Sequence, residues 1–116
     1  MNLYHVMIDL KDDAKALAFA YALDQWLAYL KAEGKIGSWR LMRRKLNLAS
    51  DSARDFLLEI EVGRLHQLDE AFQHVSGHSD EVERLYYPVN RMIARADYAL
   101  YRPFPDENRA ERVAIL

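Results

Sequence analysis

Two segments of the chain alternate apolar and polar residues with a period of two, and this alternation most limits the possible folds. The first segment is 2–11, NLYHVMIDLK, and the second is 54–62, RDFLLEIEV. Successive side chains of a β-strand point to opposite faces of a sheet. Each segment therefore predicts a strand with one strongly apolar face, which must be covered by another layer.

A helical stripe follows the first strand. Between residues 14 and 33 the apolar side chains recur three and four positions apart, the spacing of one helix face. Asp12 and Asp13 suit the N-terminus of such a helix, and Gly34 suits the position after its C-terminus. The stripe consists of Ala16, Phe19, Ala20, Leu23, Trp26, Leu27 and Leu30.

The next region predicts a β-hairpin, with a strand at 36–47, a turn at 48–53 and the strand at 54–62. Trp39 and Leu41 are expected to point towards the helices. Two basic residues, Arg40 and Arg44, then lie on the opposite face. A slip of one residue would place Arg43 and Lys45 there instead.

The second helical region is predicted to be segmented. Its apolar stripe over 65–75 ends at Ser76 and Gly77, and Ser79 is a suitable N-cap for a new segment. Pro88 predicts a further kink or restart.

A closing strand is predicted over 96–102, so the order of elements is β-α-β-β-α-β. This order is typical of the α+β, ferredoxin-like fold, a four-stranded antiparallel sheet with helices on one face. We expect a single domain over 1–104 and a C-terminal tail over 105–116. The apolar end of that tail, VAIL, would either lie along a partner subunit or be disordered.

Composition argues against several classes of protein. The 116 residues include 16 basic and 18 acidic side chains, a net charge of −2, which disfavours a general nucleic-acid binder. Cysteine is absent, so neither disulfides nor cysteine metal sites are expected. The sequence shows no signal-peptide pattern and no apolar run long enough for a bilayer, which predicts a cytoplasmic protein without membrane association. An RNA-recognition module is disfavoured because Glu59 and Glu61 would replace the stacking aromatic residues of such modules.

The sheet face turned away from the helices, here the open face, mixes charged and apolar side chains. A face in water would not usually carry so many apolar residues, and a dry core would not hold charges unless they were paired. Arg40 and Arg44 are expected to neutralise Glu59 and Glu61. The mixture predicts that two copies of the chain pack sheet to sheet as a homodimer. The apolar members are Leu3, Met7, Met42, Leu46 and Leu57.

The chain resembles the dimeric α+β barrel superfamily over about residues 2–104. The resemblance rests on the order of elements, the opening strand YHVMIDL, the segmented second helix and the closing strand YALYRPF. It implies that two sheets meet face to face in a barrel. The superfamily includes cofactor-free monooxygenases, haem-dependent enzymes, lactone isomerases and stress-responsive proteins, and the chain is most similar to a small bacterial branch of unassigned function. No functional motif of an enzymatic branch is present to transfer, and no cofactor is expected.

His5 is the candidate catalytic residue, as a general base or ligand anchor on the open face. Asp9 follows at i+4 on the same strand, roughly 13 Å away, so it cannot touch His5. A partner must come from a neighbouring strand or the other protomer: Glu59, Glu61 or Tyr101. We favour an interface histidine, because the sequence supplies no nucleophile or oxyanion donor beside it. The candidate ligand-binding or interface residues are His5, Asp9, Arg40, Arg44, Glu59, Glu61 and Tyr101.

Three histidines suggest a metal site only if the second helix is continuous. His66, His74 and His78 would then share one side, and an i, i+4 pair can chelate zinc. The predicted break after Ser76 disrupts this spacing. We therefore predict no metal site and expect His66 and His74 to be solvated.

The paired carboxylates Glu59 and Glu61 are i, i+2 on one strand face, roughly 6–7 Å apart. Glycosidases use a similar separation, but adjacent arginines would keep both groups ionised as salt-bridge partners.

Six aromatic residues either line a pocket between helices and sheet or belong to the core. The function predicted from these features is a small-molecule-binding homodimeric barrel of unknown ligand. The alternatives are a cofactor-independent monooxygenase acting on an aromatic or quinol-like substrate, and a regulatory small-ligand module. The residues do not decide whether the chain is an enzyme. The aromatic set is Trp26, Trp39, Tyr86, Tyr87, Tyr98 and Tyr101.

Overall fold

The computed structural model describes residues 1–46, 48–50 and 53–105. Four strands form one antiparallel sheet in the order β2-β3-β1-β4. Three α-helices lie on one face of it, which confirms the predicted ferredoxin-like α+β fold with a segmented second helix. The strands are β1 (Asn2–Leu10), β2 (Trp39–Arg43), β3 (Phe56–Val62) and β4 (Ile93–Tyr101). The helices are α1 (Ala16–Ala32), α2 (Leu65–Ser76) and α3 (Tyr87–Met92).

The core lies between α1 and the sheet. The alternating residues of β1 and β3 supply one side of it, and the stripe of α1 supplies the other. Phe19 is fully buried and packs against Phe56, with ring centroids 5.7 Å apart. A side chain of this size contributes roughly 1.5–3 kcal/mol through its burial, so the period-two and helical stripes largely determine this layer.

The side chains of β2 face as predicted. Arg40 lies opposite Glu59 on the open face, while Trp39 lies opposite Ile60 on the helix side. The slipped register is not adopted, because Arg43 pairs with Phe56 on the helix side and its guanidinium lies 5.0 Å from that ring.

Two strands differ in extent from the prediction. Ladder pairing of β2 covers only Trp39–Arg43 of the predicted 36–47, although Gly37 donates a hydrogen bond to the Glu61 carbonyl at 2.7 Å. β4 begins at Ile93, before the predicted start at 96. Ile93, the residue after α3, has an extended backbone (φ −85°, ψ 123°) and pairs with the end of β1 past an irregularity.

The predicted interruption of the second helical region is confirmed. α2 ends at Ser76, and His78, the residue after Gly77, has φ +52°. Ser79 Oγ accepts a hydrogen bond from the Val82 amide at 3.3 Å. A π-helical turn, Val82–Tyr86, then leads into α3, which has Pro88 in its first turn.

None of the helices in the described ranges is long and apolar enough to cross a membrane. Part of the predicted turn at 48–53 and all of the predicted tail except Pro105 lie outside the described residues. The division into a domain at 1–104 and a tail stays a prediction.

Candidate functional site

A cavity of about 580 Å³ lies between the sheet and the helices, within the size range of small-molecule sites. The helix α2 forms one wall of it. Leu68, Phe72 and Val75 of its apolar stripe line the cavity, and the Phe72 side chain remains 51% exposed. Ala71 is the buried residue of α2. This helix therefore turns its apolar side towards an opening that a ligand can fill.

Aromatic rings surround the cavity. Tyr4, on the helix side of β1, meets the edge of Phe72 and stacks on Tyr98, with both centroid distances 5.9 Å. Trp26 contacts Tyr86 at 5.3 Å. Apolar walls with a few aromatic polar tips are typical of ligand pockets.

Four of the six predicted aromatic residues line this cavity: Trp26, Tyr86, Tyr87 and Tyr98. Tyr101 lies on the open face beside His5. Trp39 packs near Lys31, outside the cavity. The sequence interpretation did not assign Tyr4 and Phe72 to a site. Both belong to apolar faces, and an apolar face shows the same periodicity whether it packs in a filled core or lines a cavity.

The described lining of the cavity includes one imidazole and no permanently charged side chain. Within the described part of the chain no Lys, Arg, Asp or Glu lines it, whereas His78 does. Burial, with smaller effects of Tyr98 and Tyr86, raises the pKa of Tyr4 to about 12. Burial likewise raises the pKa of Tyr86, with neighbouring phenols adding to the effect. These phenols therefore stay neutral hydrogen-bond donors at neutral pH.

The polar end of the cavity is formed by His78 and Tyr87, whose ring nitrogen Nδ1 and phenol oxygen are hydrogen-bonded. Asn90, one turn from Tyr86, also lines this end, with its Oδ1 3.5 Å from the Tyr86 hydroxyl. His78 entered the sequence analysis only as a possible zinc ligand. The helix break that disrupts the zinc spacing is what brings its imidazole to the cavity.

The other two histidines of this region lie apart from the cavity lining. His66 is exposed, as predicted, but the expectation that His74 is solvated is wrong. His74 is half-buried, and its Nε2 lies 2.7 Å from the hydroxyl of Tyr29 on α1. Among the residues with described positions, no group of three or more His, Asp or Glu side chains is arranged to hold a metal ion.

His5 lies on the open face, on the opposite side of the sheet from the cavity. Its Nε2 is 3.5 Å from Glu59 Oε1, and its ring centroid is 4.8 Å from that of Tyr101. A separation of 3.5 Å is too long for a good hydrogen bond, so this buried nitrogen has no hydrogen-bond partner in the described structure. Two of the three residues that the sequence suggested as partners, Glu59 and Tyr101, thus lie beside His5, but neither forms a hydrogen bond with its Nε2.

Arg40 and Arg44 of the hairpin form ion pairs with different acidic residues. Arg40 Nε lies 2.6 Å from Glu59 Oε2, as expected. Arg44, which was expected to help neutralise Glu59 and Glu61, instead lies at the opposite end of the hairpin, 3.7 Å from Asp55 Oδ1. Glu61 instead accepts a hydrogen bond from Ser38 Oγ at 3.0 Å.

Asp9 belongs to a separate ion-pair cluster. It accepts the Asp55 amide at 2.9 Å and Arg54 Nη1 at 3.2 Å, and these interactions lower the pKa of its carboxyl group. Arg54 also donates to Asp97 Oδ2 of β4 at 3.0 Å. The sequence analysis did not assign Arg54 or Asp97 to a site, because each is a polar residue at the beginning of a predicted strand, away from the candidate residues of the open face. Asp9 and His5 do not contact each other, as the strand geometry predicted.

This geometry defines a ferredoxin-like α+β protein with an aromatic cavity. The chain belongs to a family of unknown function, DUF6614, whose sequence profile matches residues 1–116. No curated protein has a matching sequence.

Solved structures with the same fold include three informative examples. A dabb family protein with a ferredoxin-like fold from Mesorhizobium loti has 16% identity and a TM-score of 0.61, covering 88% of this chain and 95% of its own. A dimeric protein of unknown function and ferredoxin-like fold from Bacteroides fragilis has 13% identity and a TM-score of 0.59, with the same two coverages, 88% and 95%. SnoaB, a cofactor-independent oxygenase from Streptomyces nogalater, has 7% identity and a TM-score of 0.63, covering 90% and 97%. At such identities the likeness shows the fold alone.

Proposed function

We propose that the protein is a homodimeric small-molecule-binding protein and that its ligand is an uncharged aromatic compound held in the cavity. The observation that carries this proposal is the cavity of about 580 Å³, which is ringed by aromatic side chains and has no Lys, Arg, Asp or Glu among its described lining residues. A charged ligand would lose its hydration there without gaining a counter-ion, which is costly. An uncharged ring system would gain apolar burial, and its oxygens would meet neutral phenol donors.

The homodimer is supported by the open face. Met42 is 36% exposed and Tyr101 is 56% exposed there, beside the charged pair of Arg40 and Glu59. Exposed apolar side chains next to ordered ion pairs suit a partly polar sheet-to-sheet contact. The Bacteroides fragilis neighbour is described as dimeric. The interface proposed for this chain contains His5, Arg40, Glu59, Glu61 and Tyr101.

The two tryptophans provide a local test of ligand binding. Trp26 lines the cavity and Trp39 does not. The uncharged quinone menadione, which quenches indole fluorescence, is titrated into Trp39→Phe, where Trp26 is the remaining fluorophore, and into Trp26→Phe, where Trp39 remains. We expect strong, saturable quenching in the first variant and weak, unsaturable quenching in the second.

The anion 2-naphthoate is the matched control ligand, and we expect its affinity for the Trp39→Phe variant to be at least about tenfold lower than that of menadione. Equal quenching in both tryptophan variants would place the probe elsewhere. Tight binding of 2-naphthoate would contradict the preference for an uncharged ligand.

The site also favours a second candidate function, a cofactor-independent monooxygenase. Such an enzyme needs an aromatic-lined pocket beside a histidine or tyrosine. His78 and Tyr87 meet this requirement, whereas His5 lies on the other side of the sheet. SnoaB shares the fold and is described as a cofactor-independent oxygenase. Oxygen consumption with a naphthohydroquinone, above its rate of autoxidation, would support this function. Binding without oxygen uptake would support the binding function and contradict the monooxygenase function.

A further inference from the structure

We propose that His78 and Tyr87 form an acid–base pair that moves a proton between carbon and oxygen of a bound cyclic ketone. The protein would then catalyse keto–enol tautomerisation. This inference rests on the proposed function, because the ketone occupies the same cavity. It goes further because it assigns a reaction to two named side chains.

The backbone holds His78 in an uncommon conformation at the edge of this cavity. Its φ is +52°, a left-handed value that few residues other than glycine adopt. The neighbouring Gly77, which could adopt that value freely, is instead right-handed with φ −72°. Strained residues of this kind cluster at functional sites. Here the conformation directs the imidazole towards Tyr87, nine residues along the chain.

His78 and Tyr87 are the groups of the described cavity lining that are placed to move a proton. An imidazole has two ring nitrogens, one of which can accept a proton while the other donates one, and no other cavity-lining residue in the described ranges is a Lys, Arg, Asp, Glu or His. Tyr4 and Tyr86 remain protonated because burial raises the pKa of both. Both can donate a hydrogen bond to an oxygen atom of the ligand. Tyr87 is the phenol hydrogen-bonded to His78, and this contact allows a proton to pass between the two side chains.

The proposed step conserves atoms and electrons. Nε2 of His78 takes a proton from the carbon next to the carbonyl group, and the electrons of that C–H bond form a carbon–carbon double bond. The carbonyl π electrons move onto the oxygen, which takes the hydroxyl proton of Tyr87. The Nδ1 proton of His78 passes to the Tyr87 oxygen, and solvent restores the first tautomer of the imidazole. Ketone and enol have the same composition, so no oxidant or cofactor is consumed.

Hydrogen–deuterium exchange of 2-tetralone tests the proposal. Each enolisation in D₂O replaces a proton next to the carbonyl with deuterium, and ¹H NMR measures the loss of that signal. We expect the wild-type protein to accelerate exchange at least about tenfold above buffer, a modest part of what acid–base catalysis can provide. His78→Gln should return the rate to that of buffer, and Tyr87→Phe should lower it by about tenfold or more.

His66→Gln is the matched control, because His66 is an exposed histidine of α2 outside the cavity lining, and its exchange rate should equal that of the wild type. Saturation-transfer NMR on the same samples measures 2-tetralone binding separately, and circular dichroism checks the fold of each variant. Binding without accelerated exchange would overturn the acid–base proposal and leave the binding function intact. Failure of 2-tetralone to bind would overturn both. Equal loss of exchange in His66→Gln and His78→Gln would also refute the assignment.

Discussion

Glu59 and His5 face each other across β3 and β1, with Oε1 of the carboxylate 3.5 Å from Nε2 of the imidazole. The other carboxylate oxygen, Oε2, lies 2.6 Å from Arg40 Nε on β2. Glu59 is thus the acidic centre of a row that crosses three strands of the open face. Its side chain is 15% exposed in the protomer, whereas that of Arg40 is 69% exposed. Arg40 is the member of the row most available to a second copy.

Replacing Glu59 by lysine should weaken the homodimer. The substitution places a cation between Arg40 and His5, so like charges would meet where the two sheets are proposed to pack. We expect the dissociation constant of the dimer to rise by at least about tenfold, measured by sedimentation velocity over a dilution series. Glu83→Lys makes the same charge change at an exposed position of the π-helical turn and should leave the dimer intact. A stable dimer in Glu59→Lys would show that the open face is not the interface.

Asp9 should make the free energy of unfolding depend on pH. The hydrogen bonds from the Asp55 amide and Arg54 lower its pKa in the folded state below the ordinary value of 3.8. A lowered folded-state pKa stabilises the fold above 3.8, and this contribution is lost as the pH falls through the folded-state value. We expect Asp9→Asn to be less stable than the wild type at neutral pH, by no more than about 1 kcal/mol, since the side chain is 37% exposed.

Urea denaturation at neutral pH and near pH 3 checks this prediction, and the difference between Asp9→Asn and the wild type should shrink at the lower pH. Asp24→Asn, at an exposed position of α1, is the matched control for the loss of a carboxylate. A difference that grew on acidification would have the wrong sign for an aspartate stabilised in its ionised form.

The periodicity of the sequence sufficed to predict the element order and the faces of the strands. Because side chains alternate strictly along a strand, orienting Trp39 inwards also placed Arg40 on the open face that carries Glu59. The pairing of Arg44 could not be predicted in the same way. It depends on where β2 stops, and local sequence defines strand ends poorly.

The cavity could not be predicted from the periodicity of the sequence. The stripe containing Phe72 shows which side of α2 is apolar, but not how far that side stands from Tyr4. The place of His78 in the cavity lining was not predicted, for a related reason. Counting residues along a helix addressed only whether it could share a metal with His74, whereas its observed partner, Tyr87, lies across the helix break.

The hydrogen bond between Tyr29 and His74 should contribute to the docking of α2 on α1. The hydroxyl and Nε2 are 2.7 Å apart in a half-buried site. Tyr29→Phe leaves the ring in place and removes the hydroxyl, so we expect a loss of about 0.5–1.5 kcal/mol in the free energy of unfolding. Urea denaturation measures it. Tyr21→Phe, on the same helix and 70% exposed, should change stability by less than about 0.5 kcal/mol. Equal effects of the two substitutions would mean that the hydrogen bond does not stabilise the fold.

The left-handed conformation of His78 predicts an unusual order of stability between two variants. His78→Ala and His78→Gly both lose the hydrogen bond to Tyr87, so the difference between them reports on the backbone. Alanine must adopt φ +52° at a cost of about 1–2 kcal/mol, which glycine avoids. Glycine loses more backbone entropy on folding, by about 0.5–1 kcal/mol, which offsets part of this gain. We therefore expect the free energy of unfolding of His78→Gly, measured by urea denaturation, to be about 0.5–1 kcal/mol higher than that of His78→Ala. At Gln73, inside α2, the same pair of substitutions should show the reverse order, because a helix interior favours alanine over glycine. If alanine were the more stable at both positions, His78 would not be left-handed in solution, and its approach to Tyr87 would lose its structural basis.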